Sequence, residues 1–377
     1  MQEVVIDKPY TFVPPYSGRV WPWLMQQLIG RRLRREFGIV EVECRGMDRL
    51  EASRAAGHGI VLTPNHCRPG DPLVVGEMVR RAGMFPHTMA SWHVFMQGRR
   101  RAWLLRRAGA FSVYREGMDR QAVNAAVEIV REARRPLVIF PEGVITRTND
   151  RLNALMEGPT FIARNAAKKR AELSPAGQVV IHPVAIRYFF RGDINAAITP
   201  TLEDLERRLT WRPQTKAPLV ERIVKIGTGL LALKELELLS QPQEGTIPER
   251  IDRLINHLLA PLEKEWLHGK SESTVVGRVK KLRAAVLAEM VEGELTEEER
   301  GRRWKQFADM YLAQQLSLYP PDYLRSDPTT ERMLETVERF EEDLTDVCRI
   351  YRPMTATVEV GEAIVVSPHR DRAAGED

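Results

Sequence analysis

Hydrophobic and polar positions follow two different rhythms along this chain. Through roughly the first 200 residues, short apolar runs alternate with helical stretches. Ile39-Val40-Glu41-Val42-Glu43 alternates strictly, the pattern of a half-buried strand. GIVLT (59–63), PLVIFPEG (136–143) and QVVIHPVAIRYFF (178–190) are apolar enough for buried strands. A helix is expected near 49–56, and AVNAAVEIVREA from Ala122 forms another. Such alternation predicts an α/β fold, a mixed sheet flanked by helices.

Beyond about residue 200 the period becomes helical. Thr246-x-x-Glu249 is a capping box with Pro248 in the first turn, ahead of Ile251, Leu254, Ile255, Leu258, Leu259 and Leu262 on one face. Val275, Val279, Leu282, Val286 and Met290 form the next stripe. Thr296-x-x-Glu299 opens a further helix, and Asp327-Pro328 the last. TATVEVGEAIVVSP (355–368) then returns to a strand pattern, with a turn expected at Gly361. A strand needs a sheet to pair with, and the sheet in view is N-terminal. The chain is therefore read as an N-terminal segment (1–38), an α/β core (39–199), a large all-helical insertion (200–353), and a final core strand with its tail (354–377). No internal repeat is evident. Gly227-x-Gly229-x-x-Ala232 imitates a dinucleotide fingerprint, but helical residues surround it and no strand precedes it.

VWPWLMQQLIGRRLRREFG (20–38) reads as one amphipathic helix, with Trp23, Leu24, Leu28 and Leu33 apolar and Arg31, Arg32, Arg34 and Arg35 in its last turns. It suits the headgroup region of an anionic leaflet. It equally suits a core-packed helix whose arginines match the negative end of the dipole. Residues 1–120 carry 19 Lys/Arg against 11 Asp/Glu, in a chain of net charge +5. That bias fits an anionic membrane surface or a phosphorylated substrate. Nucleic acid is not expected, because zinc-finger spacing and RNP-type aromatics are both missing. No apolar run nears the ~18 residues of a membrane span, and the N-terminus lacks the basic start and apolar core of a signal peptide. The expectation is a cytoplasmic protein, peripheral on the inner face of the membrane. Cys44, Cys67 and Cys348 show neither CxxC nor metal-ligand spacing, so no metal site is expected.

Candidate chemistry starts at LTPNHCRPGDPLVV (62–75), where His66 follows a strand and Asp71 lies five residues on. Pro69-Gly70 favours a turn with positive φ at Gly70, which would fold Asp71 back toward the imidazole. A carboxylate on one ring nitrogen fixes the tautomer and leaves the other to take a proton. Asp71-Pro72 is also a good cap for a helix running to about Arg81, so the pair alone is ambiguous. Arg115 follows the strand-like FSVY (111–114), and FPEG (140–143) comes about 25 residues later.

In that order these residues resemble the glycerolipid acyltransferase family, the glycerol-phosphate and lysophosphatidate acyltransferases. Asn65, His66 and Asp71 match NHxxxxD; Gly109, Phe111 and Arg115 match the second motif; Phe140, Pro141, Glu142 and Gly143 match the third; Pro183 matches the proline of the fourth. Val360-Gly361-Glu362-Ala363-Ile364 resembles the closing G-x-P-I strand, with alanine where proline is usual. The resemblance covers residues 40–190 and the last strand. The third motif departs from pattern: Val144-Ile145 displaces the usual Thr-Arg, so Thr146-Arg147 either reaches the same place through a longer loop or is merely solvated.

The resemblance implies an O-acyltransferase that moves a fatty acyl group from acyl-CoA, or from acyl carrier protein, to a glycerol-phosphate or lysophospholipid hydroxyl in phospholipid biosynthesis. The first acceptor to consider is 1-acyl-glycerol-3-phosphate, and no bound cofactor is implied. His66 would be the base and Asp71 its orienter. Arg115, Gly143 and Arg147 would meet substrate, and Glu142 would bind acceptor hydroxyls or hold Arg115. Oxyanion donors would be backbone N–H groups near Gly143 or at the helix start after Asp71. Cys67 should be passive. Arg99, Arg100, Arg101, Arg106 and Arg107 around Trp103-Leu104-Leu105 would attract anionic lipid or the donor's phosphates. Two rivals remain: a non-catalytic membrane scaffold that retains the fold, and a lipid hydrolase or transacylase using the same His/Asp pair.

Overall fold

A computed structural model describes residues 7–173, 177–320, 322–347 and 349–369; Cys348 and the tail beyond 369 lie outside the described residues. The chain divides into two compact units, Tyr10–Arg191 with Arg352–Asp377, and Met1–Pro9 with Gly192–Tyr351.

The first unit is the α/β one. In chain order it has α1 (Val20–Gln26), α2 (Ile29–Phe37), β1 (Ile39–Arg45), α3 (Met47–Ala55), β2 (Gly59–Pro64), α4 (Asp71–Arg81) and β3 (His87–Ser91). There follow α5 (His93–Met96), α6 (Arg99–Arg107), β4 (Ala110–Val113), α7 (Arg120–Glu132), β5 (Leu137–Val138), α8 (Gly158–Ala171) and β6 (Val179–Phe190). The second unit supplies α9 (Ile194–Arg208), α10 (Leu219–Leu239), α11 (Ile247–Leu267), α12 (Val275–Glu292), α13 (Glu297–Ser317) and α14 (Thr330–Thr345). The chain then returns with β7 (Met354–Val360) and β8 (Ile364–Val365).

The eight strands form one mixed sheet in the order β1-β7-β6-β2-β5-β3-β4, with β8 also on β6. Neighbours are parallel except where β7 and β8 run antiparallel to β6. The parallel strands β2, β5, β3 and β4 therefore end at one edge, where loops in α/β sheets gather chemistry. Val61, Phe111, Leu137 and Val179 from four of the strands pack with Ala126, Val130, Ala163 and Ala166 of α7 and α8 to make the core behind that edge.

Several expectations are corrected. The helix over 20–38 is two helices, broken at Gln27-Leu28. Ile29 and Leu33 are buried, α2 packing on α4 where Gly76 has no side chain to obstruct Ile29. Trp23 (54% exposed), Leu24 and Leu28 (52%) point outward instead of sharing that face. Residues 10–37 belong to the α/β unit and are not a segment apart: Val13 exchanges bonds with Ser112, and Arg135 holds the carbonyls of Tyr16, Ser17 and Gly18. The expected strand over 136–143 is only two residues long, and β3, whose HTMAS has no clear alternation, was not anticipated. Gly361 makes no reversing turn. Val360 pairs with Val184 and Ile364 with Ile181, so β7 and β8 run on along β6 past an irregularity.

Helical structure begins at residue 194, not 200, because Asp193 accepts the N–H groups of Asn195 and Ala196 and starts α9 there. The last helix is capped by Thr329, not opened by Asp327-Pro328. The Thr246/Glu249 capping box is present. Gly227 and Gly229 lie inside α10, where an added Cβ would stand 2.8 Å from the Phe340 ring and 2.6 Å from Trp211. They are close-packing glycines.

A repeat does run through these helices. Arg222, Arg250 and Arg278 recur every 28 residues, each in the first turn of a helix. They pair respectively with Glu206, Glu235 and Glu263 near the end of the preceding helix, at 2.7–2.8 Å. Three successive helical hairpins are closed by one buried device. Among the described residues no helix is long and apolar enough to cross a membrane.

Candidate active site

The loop after β2 carries His66. Asn65 extends the β2–β6 ladder, its own N–H reaching the Val184 carbonyl and its side chain bonding both N–H and C=O of Ile186 at 2.7 and 3.1 Å. Asn149 clasps Tyr188 in the same way, at 2.6 Å in each direction. Two amides thus take the place of a neighbouring strand and pin the loops to β6. Pro183 sits between the part of β6 that pairs with β8 and the part that pairs with β7, an interruption at which a missing N–H is tolerated.

The next turn brings Asp71 back. Its N–H reaches the Arg68 carbonyl at 3.1 Å. Gly70 has φ −78°, not the positive value expected. Its missing side chain matters for space, since a Cβ would sit 3.1 Å from the Phe37 ring. Asp71 opens α4 but caps nothing. Its fully buried carboxylate turns inward, with Oδ2 accepting from His66 Nδ1 at 2.8 Å and from the Arg68 N–H at 2.9 Å. Oδ1 accepts from the phenol of Tyr188 at 2.5 Å. A carboxylate only accepts, so Nδ1 carries the proton and the Nε2 lone pair is free to take one. The imidazole lies against the Phe140 ring, centroids 4.2 Å apart. Cys67 is buried, with Sγ 3.9 Å from Asp71 Oδ1.

Glu142 does something other than expected. It is buried and does not hold Arg115. Oε1 accepts the backbone N–H of His66 at 2.8 Å, and Oε2 accepts the N–H and side-chain amide of Asn153 at 3.0 and 3.1 Å. Thr146 adds a bond from its N–H to the His66 carbonyl at 2.8 Å. The displaced third motif is therefore folded onto the histidine. Gly143 has φ +69°, and a Cβ there would meet Met156 Sδ at 2.5 Å. Arg147 also has positive φ, +59°, in a half-buried position of this loop. Of the N–H groups in the two stretches expected to supply oxyanion donors, that of Gly143 is engaged with Phe140 and those of Leu73 and Val74 with Gly70.

Arg115 follows β4 at the same sheet edge as His66. Three strand spacings of about 4.8 Å separate their strands, roughly 14 Å. It is half-buried and makes no hydrogen bond or ion pair among the described residues. Burial pulls its pKa below the ordinary value against the nearby charge of Glu116. Asp119 closes its loop, accepting from the N–H groups of Tyr114 and Ala122 at 2.9 Å. Phe111 is core. Gly109 has φ +105°, with the Pro86 carbonyl 2.4 Å from where a Cβ would stand. Pro141 is buried beside Glu142. No group of three or more His, Cys, Asp or Glu side chains among the described residues could hold a metal ion.

Sequence reasoning missed Tyr188, Asn149, Asn153 and Asp119. Tyr188 had a signal: it shares the inward parity of Val184, Ile186 and Phe190, and a buried tyrosine hydroxyl needs a partner.

A family model described as Acyltransferase matches residues 41–187, a stretch that lies within the α/β unit. Comparison with curated proteins and with solved structures finds no match.

Proposed function

We propose that the protein transfers a fatty acyl group from acyl-CoA to the hydroxyl of a phosphorylated glycerolipid, with 1-acyl-glycerol-3-phosphate the first acceptor to test. The family match supports acyltransferase activity in general. The observation that carries the finer reading is the open Nε2 of His66, backed by Asp71, on the same edge as a desolvated arginine that makes no ion pair among the described residues.

In this reading His66 Nε2 takes the acceptor hydroxyl proton as that oxygen attacks the thioester carbonyl carbon. A C–O bond forms, and the tetrahedral oxyanion collapses with cleavage of the C–S bond. The departing thiolate takes the proton back from His66, so the enzyme is restored with no acyl-enzyme. Asp71 stabilises the transient imidazolium. Arg115 receives the acceptor phosphate, its planar fork matching two oxygens. Acyl carrier protein is the alternative donor. The protein works at an anionic membrane surface, since the acceptor resides there. Exposed Trp21, Trp23, Leu24 and Leu28 of the N-terminal helices and Trp103 and Leu104 of arginine-rich α6 support that placement.

The test is thiol release from palmitoyl-CoA with a panel of acceptors, comparing wild type with His66→Ala. Acceptor-dependent release that the variant loses supports the reading. Release from the variant at the wild-type rate removes His66 from the mechanism.

A further inference from the structure

We propose that Tyr188 is a positioning residue: it completes a His66–Asp71–Tyr188 relay and sets the pH range over which His66 acts as a base. The proposal rests on the reading of His66 above. Tyr188 lies one residue beyond the stretch matched by the family model and belongs to none of the motifs around His66.

Donors converge on the Asp71 carboxylate from the loop and from β6. Oδ2 takes the imidazole Nδ1 and the Arg68 N–H; Oδ1 takes the phenol. The phenol is locked in place. Its ring is fully buried with the Arg68 guanidinium 5.5 Å from the centroid, and its backbone is clasped on both polar groups by Asn149. Burial, and then the charge of Asp71, raise the Tyr188 pKa well above 10, so the hydroxyl stays protonated and remains a donor.

The titratable or charged groups packed around the pair are Cys67 and Arg68 of the loop, Glu142 after β5, and Tyr188 of β6. Glu142 is spent on the His66 backbone and on Asn153. Cys67 is a weak donor at 3.9 Å. The phenol is thus a strong side-chain donor that shares the carboxylate with His66. Each donor draws negative charge from Asp71 and weakens its hold on a protonated imidazole. Without the phenol, Asp71 would favour imidazolium more strongly, and His66 would stay protonated, unable to accept, up to a higher pH.

Tyr188→Phe tests this, because it removes one oxygen and keeps the buried ring. Two readouts apply: the ¹⁵N NMR titration of the His66 ring, which needs no substrate, and the pH dependence of acceptor-dependent thiol release. We expect both the titration midpoint and the acidic limb of the rate profile to move upward by about half a pH unit or more. A role in packing alone would lower the rate by one factor at every pH and leave the midpoint in place, which overturns the proposal. Should the phenylalanine variant not fold, 3-fluorotyrosine at position 188 is a stronger donor and should move both readouts downward; no movement overturns the relay. His66→Ala separates the two ideas. Wild-type turnover in that variant removes the base itself, whereas an inactive His66→Ala beside an unmoved Tyr188→Phe titration removes only the relay.

Discussion

Glu142 Oε1 lies 2.8 Å from the backbone nitrogen of His66, and this bond fixes where the histidine stands. The carboxylate joins two loops, since its other oxygen holds Asn153. Glu142→Gln keeps the shape, but whichever way the amide turns, an NH₂ group faces an N–H donor that had an acceptor. Leaving buried donors unsatisfied costs about 1–3 kcal/mol. The larger effect should be on rate, as a misplaced base loses on the order of 10²-fold. Steady-state kinetics should show kcat falling with the acceptor KM little changed. A raised KM at unchanged kcat would mean that Glu142 touches the acceptor instead.

His87 gives the α/β unit a pH dependence of its own. Burial is the main cause that drives its pKa down to about 4, with Arg135 acting in the same direction against a hydrogen bond to the Gly109 carbonyl. Below about pH 6.5 the unfolded chain binds a proton that the folded chain refuses. Stability is therefore full above that value and is lost as the pH falls toward 4, by up to about 3 kcal/mol at 1.4 kcal/mol per unit. Denaturant titrations of His87→Asn between pH 7 and 4 should show that slope flattened. An unchanged slope would assign it to other groups.

What the sequence made legible was local. The His66/Asp71 pair is five residues apart, α4 has Pro72 in its first turn, and the Thr246/Glu249 box spans one turn, so spacing alone locates each. The strands β2, β4 and β6 announce themselves through runs of inward side chains. What escaped depends on partners far along the chain. Glu142 is 76 residues from the nitrogen it holds, and Tyr188 is 117 from Asp71. β5 needs only two paired residues between β2 and β3, too few for a period. The 28-residue recurrence of arginine escaped because one ion pair per hairpin carries it, while the apolar positions around it vary.

Those ion pairs predict how the helical unit responds to acid. Burial pushes the Glu206, Glu235 and Glu263 carboxyls up most, but the hydrogen bonds and charge of Arg222, Arg250 and Arg278, together with the N–H groups of Gln214 and Gln243 and the Ser271 hydroxyl, jointly outweigh it and hold all three below 4.5. A depressed folded pKa means stability that is complete above 4.5 and lost as the pH drops through the folded values. Glu235→Gln should bring on part of that loss at neutral pH already. It leaves Arg250 buried beside a neutral amide, at a cost of about 3–5 kcal/mol. Circular dichroism melts at pH 7 and pH 4 check both statements: the variant should melt lower at pH 7, and the gap to wild type should narrow at pH 4. Equal gaps at the two pH values would count against the bridge as the acid-sensitive element.

The division of side chains around the break at Gln27-Leu28 sets which of them can meet a membrane. In the two helices, Ile29 and Leu33 go to the core while Trp23, Leu24 and Leu28 remain outside. Trp21 packs edge-on against Trp103 of α6, centroids 4.9 Å apart, and the Arg107 guanidinium lies 5.5 Å from the centre of the Trp103 ring, so the N-terminal helices meet the helix that carries Arg99, Arg100, Arg101, Arg106 and Arg107. Aromatic rings at headgroup depth with arginines above them suit an anionic leaflet. Trp23→Ser with Leu28→Ser should weaken co-sedimentation with anionic vesicles by about tenfold or more, given roughly 1.5–3 kcal/mol for each large apolar side chain buried. Raising salt should weaken wild-type binding further, because the arginine share is screened. Binding that neither the double variant nor salt reduces would place the membrane contact on another face of the molecule.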